Sequence, residues 1–197
     1  MIGRARLIFA GILFVALAAG ARPAYADGVS FGAKIGPLFP SISKDVANFK
    51  NRTGWLGGVW VGGNRRGAVG IQADFLYGKK NVPSPLVAGG DVDVHFFEIP
   101  VMARINLGTS DNAGGYILVG PAFDINLKSE LNGLDVKSQY ESLDLGIIGG
   151  AGFEITRFIL EVRYNWGLSN VINGDLTNTT PIKTRTFVIL FGVRFTG

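Results

Sequence analysis

The chain has 197 residues, a length typical of one domain, and 47% of them are hydrophobic while only 17% are charged. Cysteine is absent, which excludes a disulfide framework, a thiolate metal site and a cysteine nucleophile. The net charge of +4 does not indicate a nucleic-acid partner, because Arg4, Arg6 and Arg22 belong to an N-terminal segment that contains no acidic residue. Without these three, 16 of the 19 basic residues remain against 15 acidic residues.

The N-terminal segment has the three parts of a cleavable signal peptide. Arg4 and Arg6 form a positive n-region, residues 7–20 form an apolar h-region, and Ala24–Ala26 places small residues at the two positions that a signal peptidase reads. The apolar run is shorter than the ~20 residues that a membrane-crossing helix needs. We therefore predict a signal peptide over residues 1–26 and one domain over residues 27–197.

The rest of the chain alternates between apolar and polar residues in eight segments. The segment Val69–Tyr77 is the clearest, since its odd-numbered positions are apolar or aromatic, while Gln72 and Asp74 lie on the opposite face. A period of two predicts β-strands. In chain order the predicted strands are residues 29–37, 55–63, 69–77, 97–107, 117–127, 143–155, 158–166 and 187–195. No second apolar run of helical length follows the leader, so a membrane location would require a β-barrel.

The two faces of these strands distinguish a membrane barrel from a soluble one. Large apolar side chains form a row on one face, while the other combines glycines with ten charged residues: Lys34, Asp74, Glu98, Arg104, Asp124, Asp144, Glu154, Glu161, Arg163 and Arg194. Turned inward, the apolar rows would overfill an eight-stranded barrel. Turned toward lipid, they leave a narrow polar lumen in which the charges form salt bridges. We predict an all-β, eight-stranded, antiparallel, up-and-down transmembrane barrel in the outer membrane of a Gram-negative bacterium.

Aromatic residues and connection lengths give further expectations. Aromatics near the strand ends are expected in the interfacial girdles: Trp55, Tyr77, Tyr116, Tyr164 and Trp166. Shorter connections at residues 64–68, 108–115 and 156–157 alternate with longer ones at 43–54, 81–93, 129–141 and 169–185. With both termini in the periplasm, the four longer connections are predicted to be extracellular loops. The glycines Gly146, Gly150 and Gly152 are expected to make room for bulky side chains opposite them or to permit strong curvature.

Seven stretches of the mature chain occur in an order that resembles a known family. They are Ala33–Gly36, Thr53-Gly54, Gln72–Lys79 (with Asp74 where the family usually has Glu), Phe97–Val101, Gly115–Pro121, Asp144–Glu154 and Glu161–Leu168. Together they resemble the outer-membrane β-barrel domain family that includes PorT-like proteins and is akin to OmpX and the membrane domain of OmpA. The resemblance implies an integral outer-membrane protein and no single activity.

A catalytic or metal site receives little support from the sequence. His95 is the only histidine; Asp91 and Asp93 share its face, Glu98 lies on the other, and Ser84 is the nearest loop serine. This set lacks a positioned nucleophile and a fourth clustered metal ligand. We expect His95 to be an interface residue, with no catalytic, metal or cofactor-binding residue in the chain.

The predicted function is therefore a non-enzymatic barrel whose extracellular loops carry any specific interaction. Three alternatives stay open: a narrow channel for ions or small solutes, a component of a PorT-like envelope secretion system, and an enzyme acting on lipid or peptide. The expected partners are outer-membrane lipid, lipopolysaccharide and the barrel-assembly machinery, with no nucleic acid and an unknown loop ligand.

Overall fold

The structure is a computed structural model that describes residues 29–42, 53–63, 67–83, 91–109, 113–131, 134–135, 143–168 and 184–195. The predicted signal peptide lies outside these ranges. The strands are β1 (Ser30–Ile42), β2 (Gly54–Gly63), β3 (Val69–Pro83), β4 (Asp91–Thr109), β5 (Ala113–Leu131), β6 (Leu134–Asp135), β7 (Leu143–Ile155), β8 (Phe158–Gly167) and β9 (Thr184–Arg194). Within the described part of the chain, no helix is long and apolar enough to cross a membrane.

Eight of these strands close into one antiparallel barrel. Each pairs with the next along the chain, β5 pairs with β7, and β9 returns to β1 with Lys34 opposite Gly192. The two-residue strand β6 pairs only with the end of β5 and is not part of the wall. Closure leaves the wall without a free edge, so its backbone N–H and C=O groups are paired within the barrel as a hydrocarbon environment requires. The predicted fold class is confirmed.

The barrel wall is apolar on the outside, as the alternation predicts. Exposed side chains point away from the lumen on every wall strand, among them Ile35, Val59, Ile71, Phe75, Ile105, Val119, Ile147, Leu160 and Phe191. Their inward neighbours Lys34, Asp74, Glu154, Glu161 and Arg163 are buried. Lipid therefore faces the hydrophobic surface, while the charged side chains occupy the lumen.

The barrel has two unlike ends. The ends of β2, β4 and β7 and the starts of β3, β5 and β8 lie at one end of the barrel together with the described turn residues Thr156-Arg157, and we call it the short-turn end. The ends of β1, β3, β5 and β8, at Ile42, Pro83, Leu131 and Gly167, lie at the opposite end, called here the long-connection end. Strands β3, β4 and β5 are longer there than the sequence predicts, because Asn81, Asp93 and Ser129 belong to strands and not to loops.

The lumen also holds apolar side chains, which the alternation of the sequence does not predict. One buried cluster consists of Trp60, Met102, Tyr116, Leu118, Ala122, Ile148 and Ile159. The other consists of Leu38, Leu56, Leu76, Phe96, Val188 and Leu190. The expectation that glycines and charges fill the lumen is thus incomplete, because bulky apolar residues occupy the space between the charged groups.

Candidate functional site

The centre of the lumen contains four charged side chains that form one neutral cluster. Lys34 Nζ lies 2.9 Å from Glu161 Oε2 and 3.5 Å from Asp74 Oδ2. Arg163 forms ion pairs with Asp74 and with Glu161. Gln72 donates a hydrogen bond of 3.1 Å to Asp74. The four charged side chains are 0–1% exposed, and every ionised group has a partner of opposite sign, as burial of charge in a low-dielectric interior requires.

Tyr116 belongs to this lumen and not to an interfacial girdle, so that sequence expectation is wrong. The residue is 1% exposed, and its hydroxyl donates a 2.7 Å hydrogen bond to Glu161 Oε2. Its ring lies over Gly152 of the neighbouring strand, where a Cβ atom would overlap the ring. The even position of Tyr116, on the face opposite Ile117, was the signal that could have identified it.

Three of the four glycines of β7, namely Gly146, Gly150 and Gly152, make room for bulky side chains, as predicted. A Cβ at Gly152 would meet the ring of Tyr116, one at Gly150 would lie 3.1 Å from Arg163 Cγ, and one at Gly146 would overlap the Asn165 amide. These inward glycines let a long side chain from an adjacent strand lie flat against the wall and reach the centre of the lumen.

A second charged cluster lies toward the short-turn end. Glu154 accepts hydrogen bonds from Arg194 Nε at 2.6 Å and from Arg104 Nη2 at 3.2 Å. The guanidinium of Arg104 also stacks 3.7 Å from the centre of the Tyr116 ring and donates to Asn106 Oδ1 at 3.0 Å. Arg194 donates to the Thr156 carbonyl in the β7–β8 turn at 2.5 Å. Among the described side chains, two guanidinium groups thus share this carboxylate.

A third cluster, toward the long-connection end, is rich in carboxylates. Glu98, Asp124 and Asp144 are register partners on β4, β5 and β7. Lys80 Nζ lies 3.5 Å from Asp124 Oδ2, and Asn165 donates a 3.2 Å hydrogen bond to Glu98 Oε2. Lys80 was not among the predicted lumen charges, although it lies six positions from the predicted inward residue Asp74 on the same strand. The ten predicted residues therefore occupy three levels of one lumen.

His95 lies on the outer face of β4, away from all three clusters. Its Nδ1 is 2.8 Å from the hydroxyl of Tyr77, whose ring contacts Trp55 and Phe97. Beside it, Lys79 and Asp93 form a 2.7 Å ion pair. Ser84 lies outside the described residues. Among the residues that the structure describes, no group of three or more His, Asp or Glu side chains is placed to hold a metal ion.

A closed barrel, a lipid-facing apolar wall and a charged lumen define a small transmembrane β-barrel protein. The chain belongs to the family of outer membrane protein beta-barrel domains, whose sequence model matches residues 22–173. This assigns the protein to the outer membrane and agrees with the resemblance seen in the sequence. A search of curated protein sequences finds no match.

Solved barrel structures resemble this fold. Neisserial surface protein A (NspA) is 17% identical, with a TM-score of 0.54 and coverage of 86% of this chain and 99% of that chain. Ail, the attachment invasion locus protein of Yersinia pestis, is 16% identical with a TM-score of 0.45, covering 84% of this chain and 98% of its own. The outer membrane enzyme PagL is 10% identical with a TM-score of 0.43, covering 84% and 99%. At these identities the likeness concerns the fold alone.

Proposed function

We propose that this protein is a non-enzymatic, non-conducting outer-membrane barrel whose specific interactions are made at the long-connection end. The observation that carries the proposal is the central cluster. Lys34, Asp74, Glu161 and Arg163 extend from β1, β3 and β8, so their ion pairs cross the lumen from several sides.

The filling between the charges supports a plug. Met102, Leu118 and Tyr116 are each at most 1% exposed and belong to one apolar cluster in the lumen, and the Tyr116 hydroxyl is bonded to Glu161 of the central cluster. A solute would have to separate ion pairs that are shielded from solvent, and separating charges in a low dielectric is costly. The barrel wall therefore acts as a rigid support, and the connections at its long-connection end, which we place outside the cell, are free to bind a ligand.

Single-channel recording in planar bilayers tests the plug. We expect the purified full-length protein to give no discrete openings. The double variant Lys34→Ala/Arg163→Ala, which removes the two long cationic side chains, should give openings, while Arg157→Ala in the exposed β7–β8 turn should behave like the parent protein. Discrete openings of the parent protein would refute the plug.

A narrow water-filled path is the second candidate, and buried polar atoms favour it. Among the described residues, Arg163 Nη1, Trp60 Nε1, Glu98 Oε1 and Asn165 Oδ1 are buried and have no hydrogen-bond partner in the protein. Buried polar groups of this kind are commonly satisfied by water. Water permeation measured by osmotic shrinkage of proteoliposomes, without ion conductance, would support this alternative.

The absence of enzymatic activity is part of the proposal and rests on the surroundings of His95. Its Nδ1 contact is Tyr77, a phenol that is a weak nucleophile at neutral pH, and the neighbouring Asp93 is engaged by Lys79. Loss of lipid or peptide hydrolysis in a His95→Ala variant would overturn it. A role in envelope secretion would show as co-purification of a secretion complex that loop deletions abolish.

A further inference from the structure

The third cluster of the lumen places two carboxyl groups directly opposite each other. Glu98 of β4 and Asp124 of β5 are register partners, and both side chains point into the barrel. Register partners have Cβ atoms about 4.5–5.5 Å apart, so the two carboxyl groups are within reach of each other. Glu98 is 3% exposed, and the side chain of Asp124 is 13% exposed. Two ionised carboxylates at this spacing and burial repel each other unless both are neutralised.

The cation beside this pair is engaged with one of its two members. Lys80 Nζ is 3.5 Å from Asp124 Oδ2 and 4.3 Å from the centre of the Phe96 ring. Within the described part of the chain, Glu98 forms no ion pair. Arg163 is bound by two carboxylates of the central cluster, and its remaining nitrogen, Nη1, has no hydrogen-bond partner and therefore does not bond to Glu98. Glu98 is thus a deeply buried carboxyl group without a cation in contact.

The other groups around the pair do not change this balance. The titratable and charged side chains that act on Glu98 and Asp124 come from three further strands: Lys80 of β3, Asp144 of β7 and Arg163 of β8. Asp144 is the register partner of Asp124 on the side away from Glu98 and is itself an acid. Strands β1, β2 and β9 contribute only apolar residues to the buried cluster that contains Leu76, the register partner of Glu98: Leu38, Leu56, Val188 and Leu190.

The hydrogen bonds of the third cluster lack donors. Glu98 Oε2 accepts a 3.2 Å hydrogen bond from Asn165 Nδ2, and Asp124 Oδ2 faces Lys80. The second oxygens of the pair, Glu98 Oε1 and Asp124 Oδ1, are buried and have no hydrogen-bond partner. The amide oxygen of Asn165, a residue that is 7% exposed, has none either. All three atoms are acceptors when the acids are ionised, so none of them can bond to another. A proton on one of the carboxyl groups provides the missing donor.

We propose that Glu98 and Asp124 bind one proton between them, with Glu98 as the neutral acid whose Oε1–H donates to Asp124 Oδ1. The proton resides on Glu98 because this residue is the more buried one and has no cation in contact, whereas Lys80 keeps Asp124 ionised. The bond satisfies both unpartnered oxygens and removes one buried charge. A bare metal ion fits less well, since no group of three His, Asp or Glu side chains among the described residues is placed to hold one. The proposal does not depend on whether the lumen conducts or on which end is extracellular.

The bound proton makes the stability of the barrel depend on pH. In the unfolded chain a glutamate is ionised above about pH 5, whereas the folded barrel keeps the proton on Glu98 at neutral pH. The folded state therefore binds more protons than the unfolded state, and the unfolding free energy falls as the pH rises. At alkaline pH, loss of the proton leaves two like charges side by side and weakens the barrel at the third cluster.

Infrared spectroscopy of the full protein in lipid vesicles tests the site directly. At neutral pH we expect a carbonyl stretch of a neutral carboxylic acid, and this band should move to lower frequency when the glutamate carboxyl carbons carry a heavy isotope. Glu98→Gln, which keeps the shape of the side chain, should abolish the band. Asp93→Asn is the matched control, because Asp93 lies on the outer face of the same strand and its carboxylate pairs with Lys79 at 2.7 Å. Its substitution should leave the band unchanged.

Urea unfolding in vesicles at neutral and alkaline pH is the second measurement. The parent protein should lose more stability over this range than Glu98→Gln, with a difference in slope equivalent to about one proton. A parent spectrum without the acid band, a band that shifts with labelled aspartate and not with labelled glutamate, or equal pH slopes in the two proteins would each overturn the proposal. Heat-modifiable gel migration verifies that the variants are folded, and the labelled parent protein decides the question should Glu98→Gln fail to fold.

Discussion

Arg163 and Asp74 form an ion pair across the full width of the lumen. Arg163 lies on β8 and Asp74 on β3, and three wall strands separate these two in either direction around the barrel. The pair therefore links opposite sides of the barrel and does not join neighbouring strands. Both side chains are at most 1% exposed, so neither charge is hydrated by bulk solvent.

Replacement of Arg163 by Met should destabilise the barrel more than any other single lumen substitution. The change leaves Asp74 and Glu161 with Lys34 as their remaining cation, and removal of one partner from a buried ion pair costs about 3–5 kcal/mol. Urea unfolding in lipid vesicles measures the loss. Arg157→Met, in the exposed turn, is the control and should change the unfolding free energy by less than about 0.5 kcal/mol. Equal effects of the two substitutions on the unfolding free energy would contradict a stabilising role of the ion pair between Arg163 and Asp74.

Gly152→Ala should displace Tyr116. The added methyl would overlap the ring, so Tyr116 would have to move from its position and lose the 2.7 Å hydrogen bond to Glu161. We expect a loss of about 1–3 kcal/mol in the unfolding free energy, a range typical of overpacking. Gly63→Ala is the control, because a Cβ there meets no atom within 4 Å.

A double-mutant cycle separates this steric effect from a change in strand propensity. In a Tyr116→Ala background the ring is absent, so Gly152→Ala should cost at least about 1 kcal/mol less than it does in the parent protein. A coupling energy near zero would mean that Tyr116 does not depend on the glycine beneath it.

Glu154→Gln should destabilise the barrel more than Arg104→Gln. The Glu154 carboxylate accepts hydrogen bonds from both Arg104 and Arg194, so its neutralisation leaves two guanidinium groups facing each other. Loss of Arg104, in contrast, preserves the 2.6 Å bond from Arg194. We expect a difference of at least about 1 kcal/mol between the two variants in urea unfolding. A larger cost for Arg104→Gln would show that its stacking on Tyr116 outweighs its ion pair.

The unfolding free energy lost when an arginine is placed on the outer wall should depend on its depth in the membrane. Val119 is 45% exposed and lies in the middle of the apolar stretch of β5, while Leu127 lies near its long-connection end. On a membrane barrel Val119→Arg should cost about 2–4 kcal/mol, and Leu127→Arg about 0–1 kcal/mol. Unfolding in vesicles measures both. Similar costs at the two positions would contradict the lipid-facing assignment of this wall.

Much of the fold could be predicted from the sequence because a strand repeats every two residues. That period fixed which residues share a face, and the contrast between apolar rows and charged rows determined that the apolar face is the outer one. All ten predicted charges, from Lys34 to Arg194, accordingly lie on the inward face. The solvent around the barrel imposes this division, and the packing of individual side chains does not. The division can therefore be predicted from a single sequence.

The partners of those charges depended on the tertiary structure. Which side chains meet across the lumen is set by the stagger between strands when the sheet closes, and that stagger is a property of the whole barrel. It brings Arg163 to Asp74, sets Tyr116 over Gly152, and fills the remaining space with apolar clusters that the alternation did not reveal. The sequence by itself determined an apolar exterior and a charged interior, and only closure of the barrel decided which charges pair there and which apolar side chains occupy the space between them.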